Sequence, residues 1–159
     1  MNWKKIFVGA GIGGGLIAGI TYLRRLKRTS VELETISTVN VYKIDLKGIT
    51  LRVDVQIKNP TKTKFKIKFP FVKLLYKNAM VGSSEVVNQD ITIPAFGQAV
   101  AEKIMIQIPI MGIFSLGSGL IKDLGSGDPV KMNVNTVTTI DLGWKKIPYS
   151  KTEEVTLKK

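Results

Sequence analysis

Hydrophobic and polar positions alternate strictly through residues 48–58, GITLRVDVQIK. Ile49, Leu51, Val53, Val55 and Ile57 share one parity, while Thr50, Arg52, Asp54, Gln56 and Lys58 share the other. A period of two places each set on its own face of a strand, so this segment predicts a strand with one buried face. Pro60 has no N–H to continue a ladder, and Asn59-Pro60-Thr61 predicts a turn. The next run, KTKFKIKFPF, alternates again, with Phe65, Ile67, Phe69 and Phe71 expected inward and Lys62, Lys64, Lys66 and Lys68 outward. Shorter runs predict strands at 72–76, 79–81 and 90–93, and a longer one at 98–110 with Val100, Ile104, Ile106, Ile108 and Ile110 on one side. Residues 112–124 change period: Ile113, Leu116, Leu120 and Leu124, with Phe114 and Ile121 beside them, recur at helical intervals. Gly117 and Gly119 weaken that helix, and Gly125-Ser126-Gly127-Asp128-Pro129 ends it. Two or three final strands run through VKMNVNTVTTIDLG and TEEVTLK. Many short strands with turn signals between them, and one short helix, predict an all-β antiparallel sandwich over residues 31–159.

The first thirty residues follow a different pattern. An uncharged stretch from Ile6 to Leu23 stands between Lys4 and Lys5 on one side and Arg24, Arg25, Lys27 and Arg28 on the other. As a helix it would rise about 27 Å, close to the hydrocarbon thickness of a bilayer, with Trp3 and Tyr22 near the two interfaces. Residues 1–30 are therefore expected to form a membrane anchor with basic flanks, a single transmembrane helix. The heavier basic flank places the carboxy-terminal domain on the cytoplasmic side. Gly11, Gly15 and Gly19 lie on one ridge of that helix, with Ala10, Gly14 and Ala18 beside them, a surface suited to close helix packing and self-association. The same letters also spell G-x-G-x-x-G at Gly9, Gly11 and Gly14, so the segment resembles the start of a flavin- or NAD-binding unit. That remote alternative needs strand–helix alternation downstream, and the period-two pattern does not provide it. A cleaved signal peptide lacks its small-x-small site before Arg24, and Leu16-Ile17-Ala18-Gly19-Ile20 carries Ile where a lipoprotein box needs Cys.

Composition narrows the chemistry. The chain has 159 residues, a net charge of +12, and neither His nor Cys. Imidazole or thiolate metal sites, Ser-His and Cys-His nucleophile pairs and thiol redox chemistry are thereby excluded. Asp45, Asp54, Asp90 and Asp141 are scattered, and the side chains of Glu153 and Glu154 diverge on a strand, so no carboxylate pair is set up for acid–base work. No catalytic, cofactor-binding or metal-binding residue is nominated.

Beyond periodicity, VQIKNP, then a lysine-flanked apolar strand, LLYKNAMVGSS, DITIPAFGQAVAEKIMIQIPI, a helix and GDPVKMNVNTVTTIDLGWKKIPYSK follow one another in a suggestive order. Over roughly Val31 to Lys158 this order resembles the late-embryogenesis-abundant (LEA) group 2 family, also called the water-stress and hypersensitive-response (WHy) domain. Asn59-Pro60 and Ile93-Pro94-Ala95-Phe96-Gly97 are its more specific parts. The family's asparagine after the Asn-Pro pair is Thr61 here, and its mid-strand glycine is missing around Asn135 to Thr139. The resemblance implies an immunoglobulin- or fibronectin-III-like sandwich of about seven strands with one helix. It also implies no enzymatic activity and an association with stress protection.

The remaining candidate surface is basic. From Lys58 to Lys77 there are seven lysines and no acid, and Lys58, Lys62, Lys64, Lys66 and Lys68 share strand parity. Such a row suits anionic lipid headgroups, or serves as a solvated face that discourages edge pairing. With Arg52 the sole arginine past the anchor, nucleic acid is disfavoured. The expected function is a non-enzymatic, membrane-anchored LEA group 2-like sandwich acting by contact. Its expected partners are a lipid membrane and an envelope or capsid protein. The alternative is a structural protein of a lipid-containing bacteriophage virion, its helix in the internal membrane and its sandwich on the capsid.

Overall fold

The computed structural model describes residues 33–115 and 119–157. Among these residues nine strands form two antiparallel sheets, accompanied by two short helices. The first sheet holds β1 (Glu34–Asp45), β2 (Gly48–Lys58) and β7 (Gln98–Pro109), with β2 in the middle. The second is built on β8 (Lys131–Asp141), which carries β9 (Lys146–Thr156) along one side. Its other side carries β4 (Phe71–Tyr76) and β3 (Phe65–Lys68), flanked by β5 (Ala79–Ser83) and β6 (Asp90–Ile93). β3 and β4 are one path interrupted at Pro70: Ile67 pairs with Ile140 before the break and Phe71 with Val137 after it. Proline cannot donate to the ladder, so the row restarts one residue later.

One core joins the sheets. Ile49, Leu51, Val53, Val55 and Ile57 of β2 are all buried, as their alternation predicts, against Ile104, Ile106 and Ile108 of β7 and Val134 and Ile140 of β8. Two expected inward positions face out instead. Val100 is exposed and Ala101 buried, because Glu102 and Lys103 together face Asp54 in a bulge that flips the parity of β7. Lys103 holds φ +57° there, with its N–H bonded to the Asp54 carboxylate at 2.7 Å. Phe71 is only half-buried, since the break at Pro70 turns Val72 inward in its place.

The helix expected over 112–124 is described in two segments, α1 (Ile110–Ser115) and α2 (Gly119–Ser126), with 116–118 outside the described residues. Ile113 and Leu120 plug the end of the sandwich, and the Tyr76 hydroxyl ties α2 to β4 by donating to Asp123. Gly48 closes the β1–β2 hairpin at φ +141°, where an added Cβ would lie 2.0 Å from the Ile108 carbonyl oxygen. Gly48→Ala combines an unfavourable backbone conformation with a backbone clash. It is expected to lower stability by roughly 1–3 kcal/mol, read as a shifted urea midpoint at unchanged m-value.

Three expectations are corrected. Among the described residues the strand count is nine rather than about seven, and there are two helical segments. The amino-terminal transmembrane helix, and with it the single-pass placement and the virion-membrane variant, receives no support. Among the described residues no helix is long and apolar enough to cross a membrane, and the longer piece, α2, has eight residues where a span needs about 20. The stretch 6–23, its ridge of Ala10, Gly11, Gly14, Gly15, Ala18 and Gly19, and its flanks Lys4, Lys5, Arg24, Arg25, Lys27 and Arg28 lie outside the described residues.

Candidate contact surface

Three loops meet at the end of the sandwich where β1 begins. Asn59, directly after β2 and 1% exposed, is the knot between two of them. Its backbone N–H bonds the Gly97 carbonyl at 2.8 Å, and its Nδ2 donates to the carbonyls of Thr63 and Pro94, each at 2.9 Å. Its Oδ1 accepts from the Thr61 N–H at 2.9 Å and the Thr61 hydroxyl at 2.7 Å. Phe96 N–H returns a bond to the Thr61 carbonyl at 2.9 Å. Every polar atom of the Asn59 side chain is thus used to hold 59–64 against 94–97. A buried amide is tolerated only when satisfied in this way. Asn59-Pro60 is therefore more than a turn.

The third loop is the β8–β9 turn, 142–145, closed by Leu142 N–H to the Lys145 carbonyl at 2.9 Å. It arrives beside the first because β3 pairs with β8: Lys66 sits opposite Asp141, which sits opposite Lys146. Lys64, Lys66, Asp141 and Leu142 line one shallow depression there. Glu34, Lys58, Pro60 and Phe96 line another, of about 430 Å³.

The structure redistributes the predicted lysine row. Lys58 ends β2, and Lys62 and Lys64 stand on the 59–64 loop rather than on a strand. Lys66 and Lys68 point out from β3. Lys68 is spent locally: it pairs with Asp90 at 2.7 Å and bonds Asn88, and its ammonium holds the Asp90 carboxyl below the usual carboxylate range. The other four stay together and are joined by Lys145 and Lys146, which the sequence reading did not include. None of these six is ion-paired to a described residue. Phe96 and Trp144, 69% and 71% exposed, crown two of the three loops. The only signal for Trp144-Lys145-Lys146 was composition, because the ladder that brings them to Lys66 is formed by residues about 75 positions apart.

The opposite end is apolar and nearly neutral. Ile44, Ile49, Ile110, Ile113, Ile121 and Leu124 line a recess of about 370 Å³. Two lysines near it are matched, Lys43 by Asp45 at 2.8 Å and Lys131 by Glu154 at 3.1 Å, while Lys47 and Lys122 are interspersed with Asp45, Asp123 and Asp128 along the same end.

A third polar group lies inside. Where the edge strands β1 and β9 meet, Lys151 and Glu153 point inward and are 5% and 7% exposed. They pair at 2.6 Å, Lys151 donates to the Thr35 backbone carbonyl, and Ser37 donates to Glu153 at 2.6 Å. Thr35 and Tyr149 hydroxyls lie 3.3 Å apart, and among the described residues the Thr136 hydroxyl is buried with no partner. The charges are consumed by one another and by backbone, so the seam closes the sandwich edge instead of opening a reactive cavity. Inward charges on an edge strand also block its pairing with another chain.

Burial pushes the Tyr149 hydroxyl up to about 12. An unfolded tyrosine ionises near pH 10, so between about pH 10 and 12 the unfolded chain sheds a proton that the folded chain keeps. The contribution of this group is full below pH 10 and is lost as pH rises through that window, by up to ~2–3 kcal/mol. Unfolding free energies of wild type and Tyr149→Phe, measured against pH, should converge there; parallel profiles would remove the claim.

No protein-family model and no curated protein matches the chain. Among solved structures it is similar to a protein from Archaeoglobus fulgidus, 11% identical, covering 80% of this chain and 97% of that one with a TM-score of 0.53. It is also similar to an Arabidopsis thaliana protein solved in solution, 18% identical, covering 84% and 87%, with a TM-score of 0.51. A third solution structure, described as a late embryogenesis abundant protein, is 16% identical over 98% of this chain and 86% of that one; at a TM-score of 0.42 it adds nothing to the assignment. What the first two share with this chain is its two-sheet β fold.

Proposed function

We propose that this chain is a LEA group 2-like protein that works by surface contact, without turnover, in stress protection or as an accessory to a larger assembly. One observation carries the reading. The two segments most specific to the resemblance, Asn59-Pro60 and Ile93-Pro94-Ala95-Phe96-Gly97, are bonded to each other through Asn59 N–H to Gly97 and Asn59 Nδ2 to Pro94. A motif whose separated halves form one clamp has a physical reason to occur as a unit. The contact reading agrees with the interior: the buried ionisable pair is engaged internally, and the unpaired charge is at the surface.

The test is a labile client enzyme dried and rehydrated with the full-length protein or with the same mass of albumin. More client activity should survive with the protein, and Asn59→Ala should lose that advantage. Survival no better than with albumin would refute the protective reading.

A further inference from the structure

We propose that the loop end of the sandwich docks on an anionic lipid bilayer, with Trp144 and Phe96 entering the headgroup region and lysines lying against the headgroups. The inference rests on the contact reading above and names the surface it acts on. Lys58, Lys62, Lys64, Lys66, Lys145 and Lys146 have Glu34, Asp141 and Asp90 as nearby acids, and Asp90 is already paired with Lys68 at 2.7 Å. The Asp141 carboxylate already accepts the Gly143 N–H at 2.8 Å. Positive charge in excess of the local acids is attracted to an anionic surface, and its effect accumulates lysine by lysine. Long lysine stems let the ammonium stay at the phosphates while a neighbouring side chain goes deeper.

The aromatics give the depth. Large aromatic side chains held in water at two loop tips are costly unless they have an amphipathic destination, and the bilayer interface is the environment indole prefers. The loops carrying them are braced, Phe96 through its N–H on Thr61 and the Trp144 turn through Leu142 and Lys145. Little ordering is therefore left for the moment of contact. The opposite end is apolar, and its lysines, two of them ion-paired, are interspersed with Asp45, Asp123, Asp128 and Glu154, so it carries less net positive charge.

A nucleic acid is the weaker occupant. Among the described residues the only arginine, Arg52, is bonded to Asp54 at 3.1 Å on β2. The lysines stand on two separate loops and the strand ends beside them instead of lining a groove that tracks a phosphate backbone.

The test uses the full chain with Trp3→Phe, which leaves Trp144 as its only indole. Vesicles of equal parts phosphatidylcholine and phosphatidylglycerol should shift Trp144 emission to the blue, and acyl-chain-brominated lipid should quench it. Pure phosphatidylcholine should do neither. Adding K62E, K64E, K145E and K146E should weaken the partition at least about 100-fold, since each lysine contributes several-fold. All four side chains are exposed and unpaired, so the fold should persist, which circular dichroism checks. A second measurement needs no variant: about 1 M salt shortens the screening length to ~3 Å and should release Trp144 from the lipid.

Unchanged Trp144 emission in protein that sediments with vesicles would place the contact elsewhere and overturn the proposal. So would equal binding by the fourfold variant, or a Trp144 response to oligothymidylate but not to vesicles. The client-enzyme assay contains no lipid. Loss of vesicle contact with client protection intact sinks this inference alone, while the reverse result sinks only the protective reading.

Discussion

Glu153→Ala is expected to destabilise the full chain by about 3–5 kcal/mol, because it leaves the Lys151 ammonium buried without its carboxylate. The geometry makes the effect large. Lys151 is 5% exposed, its other partner is a neutral carbonyl, and Ser37 loses the acceptor it holds at 2.6 Å. The pair itself need not be strongly stabilising, since desolvating two ions costs nearly as much as their attraction returns. Lys151→Met combined with Glu153→Leu should therefore recover more than half of the loss. Urea unfolding of Lys151→Met, Glu153→Leu and the double variant, beside wild type, forms the cycle. A double variant as unstable as the sum of the singles would mean that the two charges act independently.

Asn59→Ala is expected to cost about 4 kcal/mol, since four side-chain hydrogen bonds of about 1 kcal/mol each vanish together. It should also loosen the 59–64 and 94–97 loops relative to the core. Limited proteolysis should then cut inside 59–64 well before the sheets unfold. A variant with a wild-type urea midpoint and cleavage pattern would reduce Asn59 to a turn-former.

Legibility from sequence tracked the apolar positions. β2 was readable because every inward side chain is aliphatic, and the alternation from Ile49 to Lys58 within GITLRVDVQIKNP falls inside the strand Gly48–Lys58. β1 was not seen, although it has 12 residues. Two of its first inward positions are Thr35 and Ser37, which erase the alternation that marks a buried face. The first half of β9 was missed for a related reason, its inward positions being Ile147, Tyr149 and Lys151, of which one is aliphatic. The two unread stretches are thus the two sides of one polar seam: each side looks like surface until the other is opposite it. At the contact end, Lys58, Lys62, Lys64 and Lys66 were named from their spacing. Their assignment to a single strand face was wrong for 62 and 64, because the Asn59 clamp holds those residues in a loop.

The seam also dates the completion of the fold. Thr35 and Lys151 are separated by 116 positions, so the carbonyl on the first strand waits for a side chain on the last. At a synthesis rate of about 5–20 residues per second, a growing chain leaves that rim open for roughly 6–23 s, and any nascent chain stalled before β9 leaves it open for good. A vulnerable period of this protein is therefore set on the ribosome, where shielding by a neighbouring factor or rapid elongation would shorten or cover it.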